Sequence, residues 1–225
     1  MGISEKKIGR LRALLSRWGG VHIRKYAWRY QEDPYAVLVA EFMLHRTQKD
    51  QVQRVYSKFM KAYPTLNTYQ AADREEVRNL LLPLGLNWRI EGMLAVLDSL
   101  WEQFREVPAD KERLIRERSV GQYIAGATAT FARNSPHALV DTNTVRVVGR
   151  VFGLNLVGEA RRRKEVIEAV EAACDPENPR EFYYAMIDLA HELCRPRDPA
   201  CHKCPLLEVP CSYGKEVELL AGAGA

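Results

Sequence analysis

The sequence predicts an all-α protein, and three observations support this prediction. Apolar residues recur at the i, i+3, i+4 spacing of an amphipathic helix, as in the stripe formed by Ile8, Leu11 and Trp18. A residue that commonly caps a helix precedes one of the buried stripes, where Asp33 stands before Pro34. No run shows sustained strand alternation next to a two-residue hairpin turn.

These stripes predict helices from one end of the chain to the other. The first helix is expected to end at Gly19-Gly20, because glycine commonly terminates helices. The second is expected to be buried, and the segment around Ser119-Val120-Gly121 is a tight turn between two helices. The predicted helices cover residues 8–18, 35–46, 51–62, 73–82, 87–104, 110–117, 123–132, 142–152, 160–173 and 180–193.

Composition and charge exclude some classes of protein. The chain has 225 residues, of which 47% are hydrophobic, so general disorder is excluded. Its net charge of +4 permits a polyanionic partner without demanding one, because 29 acidic residues offset 33 basic ones. The sequence contains no apolar run of membrane-spanning length, and residues 1–10 are charged and unlike a secretion signal. We therefore expect a soluble protein of the cytoplasm that has no membrane partner.

Four of the five cysteines crowd into one C-terminal stretch. Cys194, Cys201, Cys204 and Cys211 have six, two and six residues between them. Clustered cysteines in an intracellular protein indicate a metal or cluster site, and four thiolates suit one iron–sulfur cubane. Structural zinc is the alternative, but zinc sites usually show two close cysteine pairs, whereas only Cys201 and Cys204 form one here. Cys174 stands apart and is expected to be an incidental buried thiol.

Two segments nearer the middle of the chain are candidates for binding and chemistry. The turn Ser119-Val120-Gly121 between two helices can present backbone N–H groups to a phosphate, although a plain helix–helix corner would have the same pattern. Asp141 precedes a helical run and would ordinarily be an N-cap. A fixed carboxylate at that position could also stabilise positive charge on a sugar, and the two roles are compatible.

Taken together, these segments resemble the endonuclease III superfamily of helix-hairpin-helix DNA glycosylases, over nearly the whole chain. Four stretches match in order: residues 33–48, the hairpin 119–123, Val140-Asp141-Thr142 and the cysteine box. The resemblance implies a two-lobed helix-hairpin-helix glycosylase fold with a [4Fe–4S] cluster. One lobe would comprise residues 1–30 and 134–225 with the cluster loop 194–211. The other would comprise residues 31–133 with the hairpin at 110–133.

The resemblance also implies roles for individual residues. Asp141 falls on the catalytic aspartate, and Glu41 falls on a glutamate that adenine-removing relatives use as a general acid. Tyr123 falls where lyase-active members keep a lysine. A phenol cannot form the Schiff base that an amine forms with an opened sugar, so we expect a monofunctional enzyme. Cys194, Cys201, Cys204 and Cys211 would bind the cluster.

Residues expected to contact DNA lie in the same stretches. Arg46 could fill the gap left by a flipped base or contact the opposite guanine. Ser119, which replaces the usual first hairpin glycine, could still serve a phosphate. The full set of predicted DNA-binding residues is His45, Arg46, Gln48, Arg89, Ser119, Gly121 and Gln122.

The substrate expected from the resemblance is thymine or uracil opposite guanine in double-stranded DNA, removed by a monomeric enzyme acting at the nucleoid of a prokaryote. Tyr123 and the stretch from Gly85 to Arg89 favour this branch. Removal of adenine, or of a damaged or modified pyrimidine, remains open. A non-enzymatic helix-hairpin-helix DNA-binding protein is the alternative of another class, and an electron-transfer iron–sulfur protein is less consistent with the hairpin and Asp141.

Overall fold

The computed structural model describes residues 3–222, with side-chain surroundings given as far as residue 217. No β-strand occurs in this part of the chain, so the predicted all-α class is confirmed. Short 3₁₀ turns join some of the α-helices. The α-helices are α1 Glu5–His22, α2 Pro34–Leu44, α3 Lys49–Ala62, α4 Leu66–Gln70, α5 Arg74–Leu81, α6 Asn87–Phe104, α7 Lys111–Leu114, α8 Gln122–Arg133, α9 Thr142–Phe152, α10 Lys164–Ala173, α11 Pro179–Glu192 and α12 Ser212–Gly222.

Aspartate side chains begin several of these helices. Asp33 accepts a hydrogen bond from the N–H of Tyr35 at the start of α2, as predicted, and Pro34 occupies the first helical position. Asp73 caps α5 and Asp110 caps α7 in the same way. Each carboxylate satisfies N–H groups that have no partner within the helix, and this defines where the chain turns into the helix.

The prediction that Gly19 and Gly20 end the first helix is wrong, because α1 continues to His22. Gly19 is buried where α1 packs against α11, and a Cβ atom added there would lie 2.7 Å from the Cβ of Ala185. Gly20 has open space around it. The buried glycine therefore allows close approach of two helices, and the helix tolerates it because packing offsets its lower propensity.

Other helix boundaries also differ from the prediction. The predicted helix 160–173 is interrupted, because Ala160–Arg162 is a 3₁₀ turn and Arg163 is extended before α10 begins. The Arg163 guanidinium donates to the carbonyls of Asn155 and Val157, which holds the preceding loop. The predicted helix 110–117 is shortened to α7, and α4 and α12 were not predicted.

The chain divides into two units, each with its own core. Unit 1 contains the N-terminal segment through Arg24 and the chain from Pro136 onward, and α9 packs there against α10, α11 and α12. Unit 2 spans Lys25–Ser135, and α2, which is almost entirely buried, packs there against α3, α6 and α8. The sequence predicts the two boundaries between lobes after residues 30 and 133, whereas the two units of the structure have their boundaries after Arg24 and Ser135. None of the described helices is long and apolar enough to cross a membrane.

Candidate catalytic residues and cysteine loop

Asp141 lies in unit 1 as the N-cap of α9, with its carboxylate held by three donors. Its Oδ1 accepts from the backbone N–H of Asn143 at 2.8 Å and of Thr144 at 2.7 Å. Its Oδ2 accepts from the side-chain Nδ2 of Asn143 at 2.9 Å. The Thr144 hydroxyl completes the cap by accepting from the N–H of Asp141. The side chain is half-buried, so a carboxylate in a single orientation remains accessible.

A chain of hydrogen bonds links this carboxylate to the start of the cysteine loop. The Oδ1 of Asn143 accepts from Arg146 at 3.1 Å, and Arg146 also donates to the carbonyl of Cys194 at 2.7 Å. A further bond from Arg146 reaches the carbonyl of Ala190 at 3.0 Å, near the end of α11. Burial lowers the pKa of Arg146 from its ordinary value, which still leaves it charged at neutral pH. No sequence pattern indicates this bridge, because its acceptors beyond Asn143 are backbone carbonyls of a distant segment.

The four predicted cysteine ligands line one cavity in unit 1. Cys194 follows α11, Cys201 and Cys204 bracket a 3₁₀ turn, and Cys211 precedes α12. The rest of the cavity wall is largely aliphatic, formed by residues such as Val147, Leu193 and Leu206. In the described part of the chain, no three His, Cys, Asp or Glu side chains stand out as a close metal-binding group. The arrangement is thus four thiols around a shared apolar space.

Arg150 brings a positive charge to this cavity. Its guanidinium lies 3.4 Å from the Sγ of Cys194 and donates to the carbonyls of Arg195 and Pro196. It also lies over the ring of Tyr213, 4.3 Å from the centroid. Burial raises the pKa of Cys204 to about 12 and raises that of Cys211 as well. Thiols in such surroundings stay protonated unless a bound cation stabilises the thiolate.

In unit 2, the predicted hairpin is a short helix, a turn and a longer helix. Buried Val120 anchors the turn, and exposed Gly121 is the N-cap of α8 and has no side chain with which to cap it. Ser119 and Gln122 are exposed beside it. A Cβ atom added to Gly92 of α6 would lie 2.9 Å from the Ser119 hydroxyl. The serine found in place of a glycine is therefore accommodated by a glycine on the neighbouring helix.

Glu41 and Tyr123 occupy neighbouring helices of unit 2. Glu41 lies in the second half of α2 and is only 7% exposed, so it is a buried carboxyl group and not a surface charge at a helix start. Tyr123 is the second residue of α8 and packs, half-buried, against the core of the unit. Since α2 packs against α8, the two residues lie on adjoining elements.

The loop between α2 and α3 presents three of the predicted DNA-binding residues. His45, Arg46 and Gln48 are exposed, and Arg46 adopts a positive φ of 62°. The ring of His45 contacts the ring of Trp88 edge-on, with centroids 6.2 Å apart. Partial desolvation, together with the charges of Arg46 and Arg89, lowers the pKa of His45, so its imidazole is neutral at neutral pH.

Arg89 is placed differently from the predicted direct DNA contact. It is only 3% exposed, and its guanidinium donates to backbone carbonyls on two loops. At the end of α2 and in the loop that follows it, the acceptors include the carbonyls of Met43 and His45. Before α6, they are the carbonyls of Leu84 and Gly85. Burial lowers its pKa without discharging it. Arg89 therefore braces these two segments, a role hidden from the sequence because buried arginines are rare.

The sequence of the chain is similar to a known protein family and to individual proteins. The family described as "HhH-GPD superfamily base excision DNA repair protein" matches residues 39–176. The chain is 33% identical to a thymine-DNA glycosylase of Aeropyrum pernix, over 95% of this chain and 99% of that protein. It is 32% identical to a thymine/uracil-DNA glycosylase of Pyrobaculum aerophilum, over 85% of each. It is 30% identical to the adenine DNA glycosylase of Homo sapiens, over 92% of this chain but 40% of that protein.

Solved structures share the fold. A thermostable thymine-DNA glycosylase superposes with a TM-score of 0.86 at 26% identity, covering 94% of this chain and 98% of that one. An endonuclease III from a non-covalent DNA complex superposes with a TM-score of 0.76 at 22% identity, covering 96% and 99%. These structures confirm the predicted helix-hairpin-helix glycosylase fold.

Proposed function

This chain belongs to the HhH-GPD superfamily of base excision DNA repair proteins, and from that premise we propose that it removes thymine or uracil mispaired with guanine, by hydrolysis. It is a DNA N-glycosylase, and its partner is DNA. The observation that carries the finer proposal is Tyr123 at the second position of α8, two residues after the hairpin N-cap Gly121. Relatives named for thymine and uracil support the choice of base.

Tyr123 supports a hydrolytic mechanism without a lyase step. A lyase-active glycosylase attacks the sugar with an amine and passes through a Schiff base, which a phenol cannot form. With a tyrosine here, water is the nucleophile at C1′ of the deoxyribose and takes the place of the departing base. The products are the free base and an abasic site in an unbroken strand.

Asp141 is proposed to stabilise the sugar as the N-glycosidic bond breaks. Positive charge develops on the deoxyribose in the transition state, and a nearby carboxylate lowers its energy. The two N–H groups on Oδ1 and the amide of Asn143 on Oδ2 hold the carboxylate in one orientation before the reaction begins. Such preorganisation means that no reorientation is needed as charge develops.

Glu41 is proposed to assist departure of the base. A carboxyl group that is 7% exposed on a fully packed helix can hydrogen-bond a base edge with little competition from water. The same residue would suit the protonation of a departing adenine, and adenine glycosylases are among the relatives. Adenine removal is therefore the second candidate, and Tyr123 does not exclude it.

The hairpin is proposed to hold the DNA backbone. The N-terminus of α8, a helix of 12 residues that begins at a glycine N-cap, favours a phosphate through backbone N–H groups and the helix dipole. Exposed Ser119 and Gln122 add donors beside it. The proposed ligand is double-stranded DNA with a mismatched or damaged base, bound by a monomer, and the cytoplasm remains the proposed location.

The cysteine loop is proposed to hold a [4Fe–4S] cluster. Four thiols lining one apolar cavity fit a cubane, which needs one thiolate per iron, and Arg150 offsets part of the added negative charge. Cys194, Cys201, Cys204 and Cys211 would be its ligands. When bound, the cluster would supply structural cross-linking of the loop between α11 and α12.

A single-turnover panel of duplexes tests the proposed substrate. Labelled duplexes carrying T·G, U·G, A·G, adenine opposite oxidised guanine, or a modified pyrimidine are incubated with excess protein and then treated with alkali. We expect T·G or U·G to be cleaved fastest. Fastest cleavage of an adenine duplex would overturn the thymine and uracil assignment and make Glu41 the decisive residue. No cleavage of any duplex by cluster-loaded protein would contradict the proposal altogether.

A further inference from the structure

Two arginines of the hairpin turn, the segment 115–121 that joins α7 to α8, are exposed to solvent. In the described part of the chain, the guanidinium groups of Arg116 and Arg118 form no hydrogen bond, ion pair or ring contact. Other exposed arginines of the same unit are engaged, since Arg78 pairs with Glu91 at 2.7 Å and Arg113 lies over an aromatic ring at the end of α6. The hairpin turn therefore presents two positive charges that the fold itself does not use.

The local backbone explains why these two side chains face outward. Every third residue is buried, because Leu114, Glu117 and Val120 are 0%, 9% and 5% exposed. The N–H of Glu117 donates to the carbonyl of Leu114, and the N–H of Val120 donates to the carbonyl of Glu117. A repeat of three residues with such bonds is typical of 3₁₀-type turns. Arg116 and Arg118 precede and follow the inward-facing Glu117 and lie on the solvent side.

The buried carboxylate of Glu117 ties the hairpin turn to α6. Its Oε1 accepts from the side-chain amide of Gln103 at 2.9 Å, and the same amide nitrogen donates to the hydroxyl of Ser99 at 2.8 Å. A buried carboxylate requires a hydrogen-bond donor of this kind. The negative charge of the turn is thus held on its inner side, while both arginines stay on its outer side.

We propose that Arg116 and Arg118 each bind a phosphate of duplex DNA, beside the phosphate held at the start of α8. This proposal rests on the proposed function, in which the hairpin holds the DNA backbone, and it adds side-chain contacts to those of the backbone N–H groups. A planar guanidinium presents paired donors that match two oxygens of one phosphate. Phosphate contacts position DNA without reading its sequence, so they act on damaged and undamaged duplexes alike.

The salt dependence of DNA binding tests the proposal. The two probes are a duplex with a tetrahydrofuran abasic analogue and the same duplex without damage. Loss of one phosphate contact reduces the slope of log K against log salt concentration by about 0.9. We expect this reduction for Arg116→Gln and for Arg118→Gln on both probes, and about 1.8 for the double variant. At about 0.1 M salt, each single variant should bind about 5- to 10-fold more weakly than the wild type.

Matched variants separate the charge of the hairpin turn from charge in general. Arg118→Lys keeps the positive charge and should keep the wild-type slope. Arg54→Gln removes an exposed arginine of α3 and should leave both slope and affinity unchanged. Because Arg116 and Arg118 are exposed, thermal unfolding of both glutamine variants should match that of the wild type. A wild-type slope in both glutamine variants, or an equal reduction in Arg54→Gln, would overturn the proposal.

Failure of this proposal is distinguishable from failure of the proposed substrate. If the wild type excises thymine from T·G while both glutamine variants keep the wild-type slope, only the arginine contacts fail. If no duplex of the panel is cleaved while the slopes fall by about 0.9, the phosphate contacts stand and the proposed substrate fails.

Discussion

The charged residues of the two units are held in place in different ways. In unit 1, Asp141 and Arg146 are tied into a continuous set of hydrogen bonds that ends on the backbone of the cysteine loop. In unit 2, one buried arginine, Arg89, braces two loops whose own polar side chains, His45 and Arg46 among them, remain exposed. The difference teaches that the carboxylate assigned to the sugar is itself held by hydrogen bonds, whereas His45 and Arg46, assigned to recognition, are exposed side chains on a backbone that another residue holds.

The largest expected effect comes from removing the immobilised charge of unit 1. Asp141→Asn should slow single-turnover base release by about 100- to 1000-fold, because the charge that stabilises the sugar is lost. Asparagine also caps helices, so the fold and the affinity for an abasic duplex should be retained. Asp73→Asn changes a capping aspartate elsewhere and serves as the control. Base release at the wild-type rate in Asp141→Asn would remove Asp141 from the mechanism.

The second-largest expected effect comes from removing one of the four cysteines proposed to bind the cluster. Cys204→Ser should lose its iron and its visible absorbance, and should unfold about 10 °C lower, because a bound cluster contributes its binding energy to folding. Cys174 is buried outside the cavity, so Cys174→Ser should keep its iron. Metal analysis and thermal unfolding provide the measurements. One zinc per wild-type chain, with no iron, would contradict the cluster assignment.

In unit 2, Arg89→Met should lower the free energy of unfolding by about 2 kcal/mol, because several buried carbonyls lose a charged donor. Urea denaturation measures this change. Arg46→Met is a matched control on one of the braced loops, and because Arg46 is exposed it should stay within about 0.5 kcal/mol of wild type. Equal stability of the two variants would show that Arg89 does not brace the loops.

The smallest effect concerns packing within unit 1. Gly19→Ala should destabilise by about 1 kcal/mol, since the new Cβ would lie 2.7 Å from the Cβ of Ala185. Gly20→Ala, one residue along the same helix and in open space, should stabilise by about 0.5 kcal/mol through helix propensity. Thermal unfolding of both variants measures these changes in stability. A change of the same sign in both variants would contradict the packing role of Gly19.

Whether the sequence predicts a structural feature depends on whether the residues that produce the feature are neighbours in the chain. The bounds of Asn87–Phe104 and of Thr142–Phe152 are predicted correctly, because an apolar stripe and, in the second helix, the N-cap Asp141 are local patterns. The packing role of Gly19 is not predictable from its neighbours, because its partner, Ala185, lies far along the chain. The bracing contacts of Arg89 are not predicted, because nothing in the neighbouring sequence indicates that carbonyls of two segments surround it.

The same distinction between local and distant partners applies to the candidate functional residues. The sequence predicts Asp141 both as an N-cap and as a fixed carboxylate, and the structure shows the cap together with the side-chain bond from Asn143. The bridge from Arg146 to the carbonyl of Cys194 was missed, since it joins segments 48 residues apart through backbone atoms. Sequence patterns identify which residue types are available, while their hydrogen-bond partners emerge only with the fold.

The measurement that tests the central claim most directly is trapping with borohydride on a U·G or T·G duplex. The account predicts that the wild type releases the base, that strands break only after alkali, and that borohydride traps no covalent adduct. Tyr123→Lys, which supplies an amine at the same position, serves as a variant in which an adduct can form. Strand scission without alkali, together with a trapped adduct of the wild-type protein, would contradict hydrolysis as the reaction of this enzyme.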